Sequence, residues 1–281
     1  MITNSRSDNV NTRNLVVDIL LAVTRDGAFS HIAIRDVLDK YRYLPKQDRA
    51  FITRLSQGTI ERMIELDAII NQFSKTKVKK MKPVIAAILR SGVYQLKYMD
   101  SVPDSAACNE AVKLTVKRGF GGLKGFVNGV MRTIARNMDQ IRYPDAEKEP
   151  VRYLSVKYSI PEWLVQRFTE QYGAEACERS LAAYLMPHPT SVQVDTDRSS
   201  VEEIIASLEQ QGITVRRNEQ VERALFLSGY EALDEIEEFE NGLLYVQDTA
   251  SMLAVELAAP KQGDHVIDVC AAPGGVFMRH V

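Results

Sequence analysis

Through the first 140 residues, apolar side chains recur at three- and four-residue spacing, and no run alternates clearly between apolar and polar. A chain patterned this way cannot lay half-buried strands here; it must form helices that each bury one stripe. Leu15, Ile19 and Val23 stand one turn apart, behind Asn11 or Thr12 as a cap. Phe51 and Leu55, then Ile60, Ile64 and Ile69, carry the spacing through a long second segment. Pro83 suits the first position of a helix running through Val84 and Ile88 to Leu96. Asp104 or Ser105 can cap the next, which passes Ala111 and Leu114 and stops at Gly119. Phe126, Val130 and Ile134 mark one more. The expectation for this part is an all-α bundle.

The texture then changes. Tyr143-Pro144 and the polar run to Pro150 read as a linker. Pro161 opens a helix through Trp163, Leu164 and Phe168 that stops near Gly173, and a second helical stretch runs to Leu185 before Pro187 and Pro189. Short apolar or alternating runs follow at Ser191–Asp195, Ile213–Val215 and Ala224–Leu227. The amphipathic segment VEEIIASLEQQG lies between the first two, with Ile204, Ile205 and Leu208 on its apolar face. Strand–helix–strand units of this size predict a small α+β domain. GLLYVQD reads as a strand leading into a helix from Thr249 to about Ala258. HVIDVC reads as a short buried strand with AAPGG at its C-terminal end.

A length of 281 residues suggests about two domains. Three cysteines, Cys108, Cys177 and Cys270, are odd in number and far apart, which excludes a disulfide scaffold and predicts free thiols in a reducing, cytoplasmic setting. No apolar run is long enough to span a bilayer, and the polar N-terminus MITNSRSDNVNTRN lacks a signal-peptide core, so no membrane partner is expected. His31, His188, His265 and His280 show no ligand spacing, and no metal is expected. The net charge of −2 conceals an asymmetry. Residues 1–150 hold 25 Lys and Arg against 16 Asp and Glu, a balance of +9; residues 151–281 hold 10 against 21, a balance of −11. A basic half joined to an acidic half fits a nucleic-acid-binding part beside a part with another task.

Chemistry concentrates at Asp268-Val269-Cys270-Ala271-Ala272-Pro273-Gly274-Gly275. Small residues and two glycines at the end of an apolar strand let a ligand approach the backbone, and ligands of open α/β sheets bind at such strand ends. The segment Lys117-Arg118-Gly119-Phe120-Gly121-Gly122-Leu123-Lys124-Gly125 is basic and glycine-rich, yet lacks the G-K-[ST] ending of a phosphate loop. It reads first as an interhelical loop, and its amides and cations at Lys117, Arg118 and Lys124 also suit RNA phosphates. Arg49, Arg54 and Arg132 are further candidates of that kind, and Lys75, Lys77, Lys79, Lys80 and Lys82 form a run usual for a solvated joint, with phosphate contact as the alternative.

The motif D-x-C-A-A-P-G-G resembles the S-adenosylmethionine-binding motif of the RNA cytosine-C5 methyltransferases, and Gln247-Asp248-Thr249-Ala250-Ser251 resembles the segment that precedes it there. Ala107-Cys108-Asn109-Glu110-Ala111-Val112 and Gly125-Phe126-Val127-Asn128-Gly129-Val130-Met131-Arg132 are similar to motifs in the NusB-like helical domain of the bacterial 16S rRNA members, the RsmB/NOP family. Ile160-Pro161-Glu162-Trp163-Leu164-Val165 and the strand at Ser191–Thr196 resemble their middle RNA-binding domain. The resemblance implies a NusB-like all-α RNA-binding domain over 1–142, an α+β middle domain over 143–235, and over 236–281 the incomplete start of a Rossmann-like methyltransferase domain, cut off after the cofactor motif. It implies S-adenosyl-L-methionine as cofactor, held by Cys270, Ala271, Ala272, Pro273, Gly274 and Gly275, and 16S rRNA or a small-subunit precursor as partner.

In that family a cysteine thiolate attacks C6 of cytosine, C5 takes the methyl group, and a second cysteine assists release. No residue here matches those two cysteines, so no catalytic residue is expected in this chain and it is expected not to methylate by itself. Cys270 belongs to the cofactor motif, and Cys108 and Cys177 read as core thiols. Two departures stand out: the family's R-V-N-T strand is Gln193-Val194-Asp195-Thr196, and Val276 follows the double glycine in place of Lys. The alternative reading is a non-catalytic RNA-binding module resembling NusB-type antitermination proteins.

Overall fold

A computed structural model of the chain describes residues 10–186, 189–230, 233–261 and 263–269. Two compact units divide it, Met1–Leu185 and Met186–Val281.

The first unit is helical: α1 (Thr12–Thr24), α2 (Ser30–Lys40), α3 (Lys46–Glu61), α4 (Met63–Phe73), α5 (Pro83–Tyr98), α6 (Asp104–Lys117), α7 (Lys124–Arg136), α8 (Pro150–Tyr158), α9 (Glu162–Tyr172) and α10 (Ala174–Tyr184). Helix α5 is the axis of the bundle and packs against α1, α3, α4, α6 and α7. It is buried nearly all round because Ile85–Leu89 and Ser91–Gln95 offer no charged face. Ile19, Leu20, Ile52, Leu55, Leu66, Ile70, Ile88 and Met131 are fully buried around it. Gly58 lets α3 approach this axis: a Cβ there would stand 2.0 Å from the Tyr94 hydroxyl. A second small core of Leu154, Val165, Cys177 and Leu181 joins α8, α9 and α10.

Several local readings hold. Asn11 caps α1, its side chain accepting from the Asn14 N–H at 2.9 Å. Pro83 opens α5, and Gly119 follows α6 at φ +82°, the left-handed conformation glycine tolerates. Three readings are corrected. Asp104 and Ser105 are the first helical residues of α6, whose cap position is Pro103. The long segment through Phe51 and Ile69 is two helices broken at Arg62, which leaves helical geometry (φ −100°, ψ 15°). Pro150 is the first residue of α8 rather than the close of a linker.

The second unit is an antiparallel sheet in the order β2-β3-β1-β4, built from β1 (Thr190–Val194), β2 (Thr214–Arg217), β3 (Ala224–Ser228) and β4 (Leu244–Val246). Helix α11 (Val201–Gln210) links β1 to β2, the short α12 (Glu237–Glu240) precedes β4, and α13 (Thr249–Ala258) follows it. Val192, Val194, Leu225 and Leu227 alternate onto one face and meet Ile204 and Leu208 of α11. β4 lies beyond residue 235, yet Val192 pairs with Val246 and Val194 with Leu244. The sheet therefore draws its last strand from the segment expected to begin the third domain. The predicted strand at HVIDVC is not present: among the described residues, 264–269 pair with no strand, and Val266, Ile267 and Val269 are 55%, 88% and 90% exposed. A lone apolar segment has no ladder to satisfy its backbone.

Candidate nucleic-acid interface

The basic candidates fall into two groups. Lys117 ends α6 and Lys124 begins α7, with a single turn of 3₁₀ helix, Gly121–Leu123, between them. The two helices pack side by side, so both lysines stand at one end of this hairpin. Both are exposed and make no ion pair among the described residues. A lysine at a helix N-terminus opposes the macrodipole, so the helix itself gains nothing from Lys124. A Cβ added at Gly121, Gly122, Gly125 or Gly129 would meet nothing within 4 Å. Internal packing therefore does not require these glycines; their effect is a low surface. Arg132 lies two turns along α7, exposed, its Nε donating to Asn128 Oδ1 at 2.9 Å. Arg118, read as a candidate, is engaged within the bundle: it donates to the Asn14 carbonyl at 2.7 Å and pairs with Asp18 at 2.7 Å.

Arg49 and Arg54 stand apart from the hairpin, on α3. Arg49 is exposed without an ion pair among the described residues. Arg54 donates to the backbone carbonyl of Tyr98 at 2.9 Å, bracing α3 against the end of α5. In the second unit Gln193 is 4% exposed, so the position of the family's strand arginine is a buried one here.

Cys270, Ala271, Ala272, Pro273, Gly274 and Gly275 lie outside the described residues. The other two cysteines are core thiols. Burial pushes the Cys108 thiol up, against a weaker pull from Arg132. Cys177 is buried, its S–H directed at the Val165 carbonyl. A nucleophilic cysteine needs the opposite environment, partly exposed and electropositive.

One charged centre escapes the sequence reading. Glu65 of α4 is only 1% exposed. It accepts from Lys97 Nζ at 2.6 Å and from the hydroxyls of Tyr98 and Tyr143, with Arg62 at 3.7 Å. Lys97 also donates to the Tyr143 oxygen at 2.5 Å. Burial, then the bond to Glu65, pushes the Tyr98 and Tyr143 hydroxyls up. Burial lowers Lys97, yet its bonds to Glu65 and Tyr143 outweigh that and hold the ammonium above its ordinary range. The Glu65 N–H donates to Ser159 Oγ at 3.0 Å, and Ser159 closes α8 in the left-handed conformation. The centre thus ties the 142–149 connector and α8 to the bundle. Its members are spread from residue 62 to 159, and no local spacing announces them.

Comparison with known proteins extends these observations. Residues 10–136 match the NusB family, and residues 160–233 match the RsmF/B-like methyltransferase ferredoxin-like domain. The chain is 34% identical over 94% of its length to the probable ribosomal RNA small subunit methyltransferase B of Bacillus subtilis (strain 168), covering 58% of that protein. It is 32% identical over 95% of its length to the probable ribosomal RNA small subunit methyltransferase B of Synechocystis sp., covering 59%. The Serratia proteamaculans ribosomal RNA small subunit methyltransferase B is 28% identical over 87% of the chain. The chain thus spans less than two thirds of the length of the relatives it matches. The crystal structure of PH0851 shares the fold over 97% of this chain and 61% of its own, with a TM-score of 0.68 at 23% identity. A NusB-family domain followed by an RsmF/B-like ferredoxin-like domain, with one-third identity carried along nearly the whole chain, makes it similar, over this part of their length, to the ribosomal RNA small subunit methyltransferase B proteins.

Proposed function

We propose that this chain is the RNA-recognising part of a small-subunit rRNA methyltransferase that modifies cytosine at C5 and works in the cytoplasm. What supports the reading is the order of its parts: the helical domain, the ferredoxin-like domain, then Gln247–Ser251 and the D-x-C-A-A-P-G-G motif. The helical hairpin with Lys117, Lys124 and Arg132 holds rRNA phosphates, which orients the substrate without reading its sequence. Bound S-adenosyl-L-methionine would supply the methyl group, and Cys270–Gly275 are the residues proposed to hold it. The thiolate that attacks cytosine is not drawn from Cys108 or Cys177, which are both buried.

The chain by itself is therefore expected to bind 16S rRNA and not to methylate it. Undermodified small subunits incubated with the chain and tritiated S-adenosylmethionine should stay at background. Filter binding should show a salt-dependent preference for 16S rRNA over an unrelated RNA of equal length. Label incorporated above background would refute the non-catalytic part of the reading; equal affinity for both RNAs would refute the substrate. The NusB-family match favours a second reading, in which the helical domain alone carries the RNA affinity. Full retention of binding by residues 1–142 would support it.

A further inference from the structure

The helical unit contains a groove of about 550 Å³ that neither the α6–α7 hairpin cations nor Arg49 and Arg54 line. Its walls are α4, the 142–149 connector and α8. Five charged side chains line it: Lys77, Arg142 and Arg152 against Asp67 and Glu149. The acids are already matched. Asp67 accepts two bonds of 2.7 Å from Arg90, and Glu149 pairs with Arg152 at 2.7 Å. That leaves Lys77 and Arg142 as surplus positive charge, and neither makes an ion pair among the described residues. Lys77 spends one N–H on the Asn71 carbonyl at 2.9 Å and keeps two. Arg142 is clamped by its backbone alone: its N–H donates to Gln72 Oε1 at 3.0 Å and its carbonyl accepts from Gln72 Nε2 at 2.7 Å. Among the described residues the guanidinium makes no ion pair, on a main chain fixed by Gln72.

Lys75, Lys79, Lys80 and Lys82 flank Lys77 in the α4–α5 connection, all exposed and without ion pairs among the described residues. Repulsion among five lysines in eight residues costs stability unless a polyanion offsets it. Beside Asn71, Gln72 and the matched acids, part of the lining is apolar. Ile64, Ala68 and Val156 contribute aliphatic surface, and Pro144 stands beside the Tyr143 ring. That ring is held by its hydroxyl on Glu65 and by Lys97 Nζ at 5.2 Å from its centroid. A strip of cations beside an apolar and aromatic recess matches one unpaired nucleotide with its neighbouring phosphates; a duplex keeps its bases stacked out of reach.

We infer that this groove receives an unpaired nucleotide of a single-stranded RNA segment, with the base in the recess and the flanking phosphates on Lys77 and Arg142. The inference rests on the proposed rRNA-recognising role and adds a second contact, distinct from the α6–α7 hairpin. It is tested by fluorescence anisotropy of the full chain with a labelled single-stranded oligouridine of about twelve nucleotides. A duplex of equal length serves as the comparison, over about 50–200 mM salt. The double variant Lys77→Gln, Arg142→Gln is expected to bind the single strand about tenfold more weakly at low salt. Its slope of log affinity on log salt should fall by about 1.4, from two lost phosphate contacts at about 0.7 each. Hydrogen exchange on the unmutated chain gives a measurement independent of the variant: peptides covering 64–77 and 142–156 should slow when the single strand is added. Wild type with no salt-dependent RNA affinity overturns both the functional reading and this one. Wild type that binds, while the variant binds as tightly with the same slope or the two peptides exchange as before, overturns the groove alone.

Discussion

Glu65 shows how much one residue carries in this chain. A carboxylate only 1% exposed is tolerable because a lysine and two tyrosine hydroxyls meet it. Glu65→Ala would leave the half-buried Lys97 beside two hydroxyls without their acceptor, and should cost about 3–5 kcal/mol in urea unfolding. Tyr143→Phe removes one bond to a charged group and should cost about 1.5–3 kcal/mol. The pH dependence has a definite sign. Lys97, Tyr98 and Tyr143 all hold their protons more tightly when folded. Their contribution is complete below the ordinary lysine and tyrosine range near pH 10 and is lost as pH rises through the raised folded values. Stability should therefore fall above about pH 10, and fall less steeply in Tyr143→Phe. An equal alkaline slope in both proteins would contradict this account. None of it was legible from sequence, where Glu65, Lys97 and Tyr143 are ordinary polar residues in separate segments. The hairpin lysines were legible, because Lys117 and Lys124 bracket a glycine-rich turn; the engagement of Arg118 by Asp18, a hundred residues away, was not.

At the scale of elements, local chemistry predicts well where the signal is local. Ser200 caps α11 by accepting from the Glu203 N–H, and the Glu203 carboxylate accepts from the Ser200 N–H in return. Replacing Ser200 with Ala should destabilise the second unit by about 1 kcal/mol, read as a lower thermal midpoint, while Ser200→Gly should cost only a few tenths. Equal losses in the two variants would show that the hydroxyl is not the source. The strands at 190–194, 214–217 and 224–228 and the helix at 249–258 also follow from alternation and capping. The break between α3 and α4 carries no glycine or proline. It sits at Arg62, whose guanidinium lies 5.0 Å from the Tyr98 ring centroid and beside Glu65, so tertiary contacts set it. HVIDVC fails as a strand for the converse reason: its composition is right, and among the described residues it has no neighbour to pair with.

For the whole molecule, the separate cores matter most. The helical unit has its own buried cluster from Leu15 to Ile134 and a smaller one under α8–α10; the sheet unit has another around Val192, Leu208 and Leu225. A fragment ending at Leu185 should therefore fold without the rest, keep its helical circular dichroism and melt cooperatively. Non-cooperative melting of that fragment would show that the bundle borrows stability from residues beyond it. The charge asymmetry read from composition acquires a place here too, since the basic half largely coincides with the helical unit.

The sequence by itself determined the classes of the two units, the register of apolar faces within each helix and strand, and the order of motifs that carries the family resemblance. These depend on neighbours within one or two turns, where side-chain period and capping chemistry decide. The tertiary structure decided which charges are free and which are structural, where a continuous apolar pattern breaks, and that β4 completes the sheet from beyond the expected boundary. It alone brought Lys77, Tyr143 and Arg142 around one groove. Such pairings depend on which distant segments meet, and the energy of a buried ion pair or a filled cavity is set by that meeting rather than by sequence spacing.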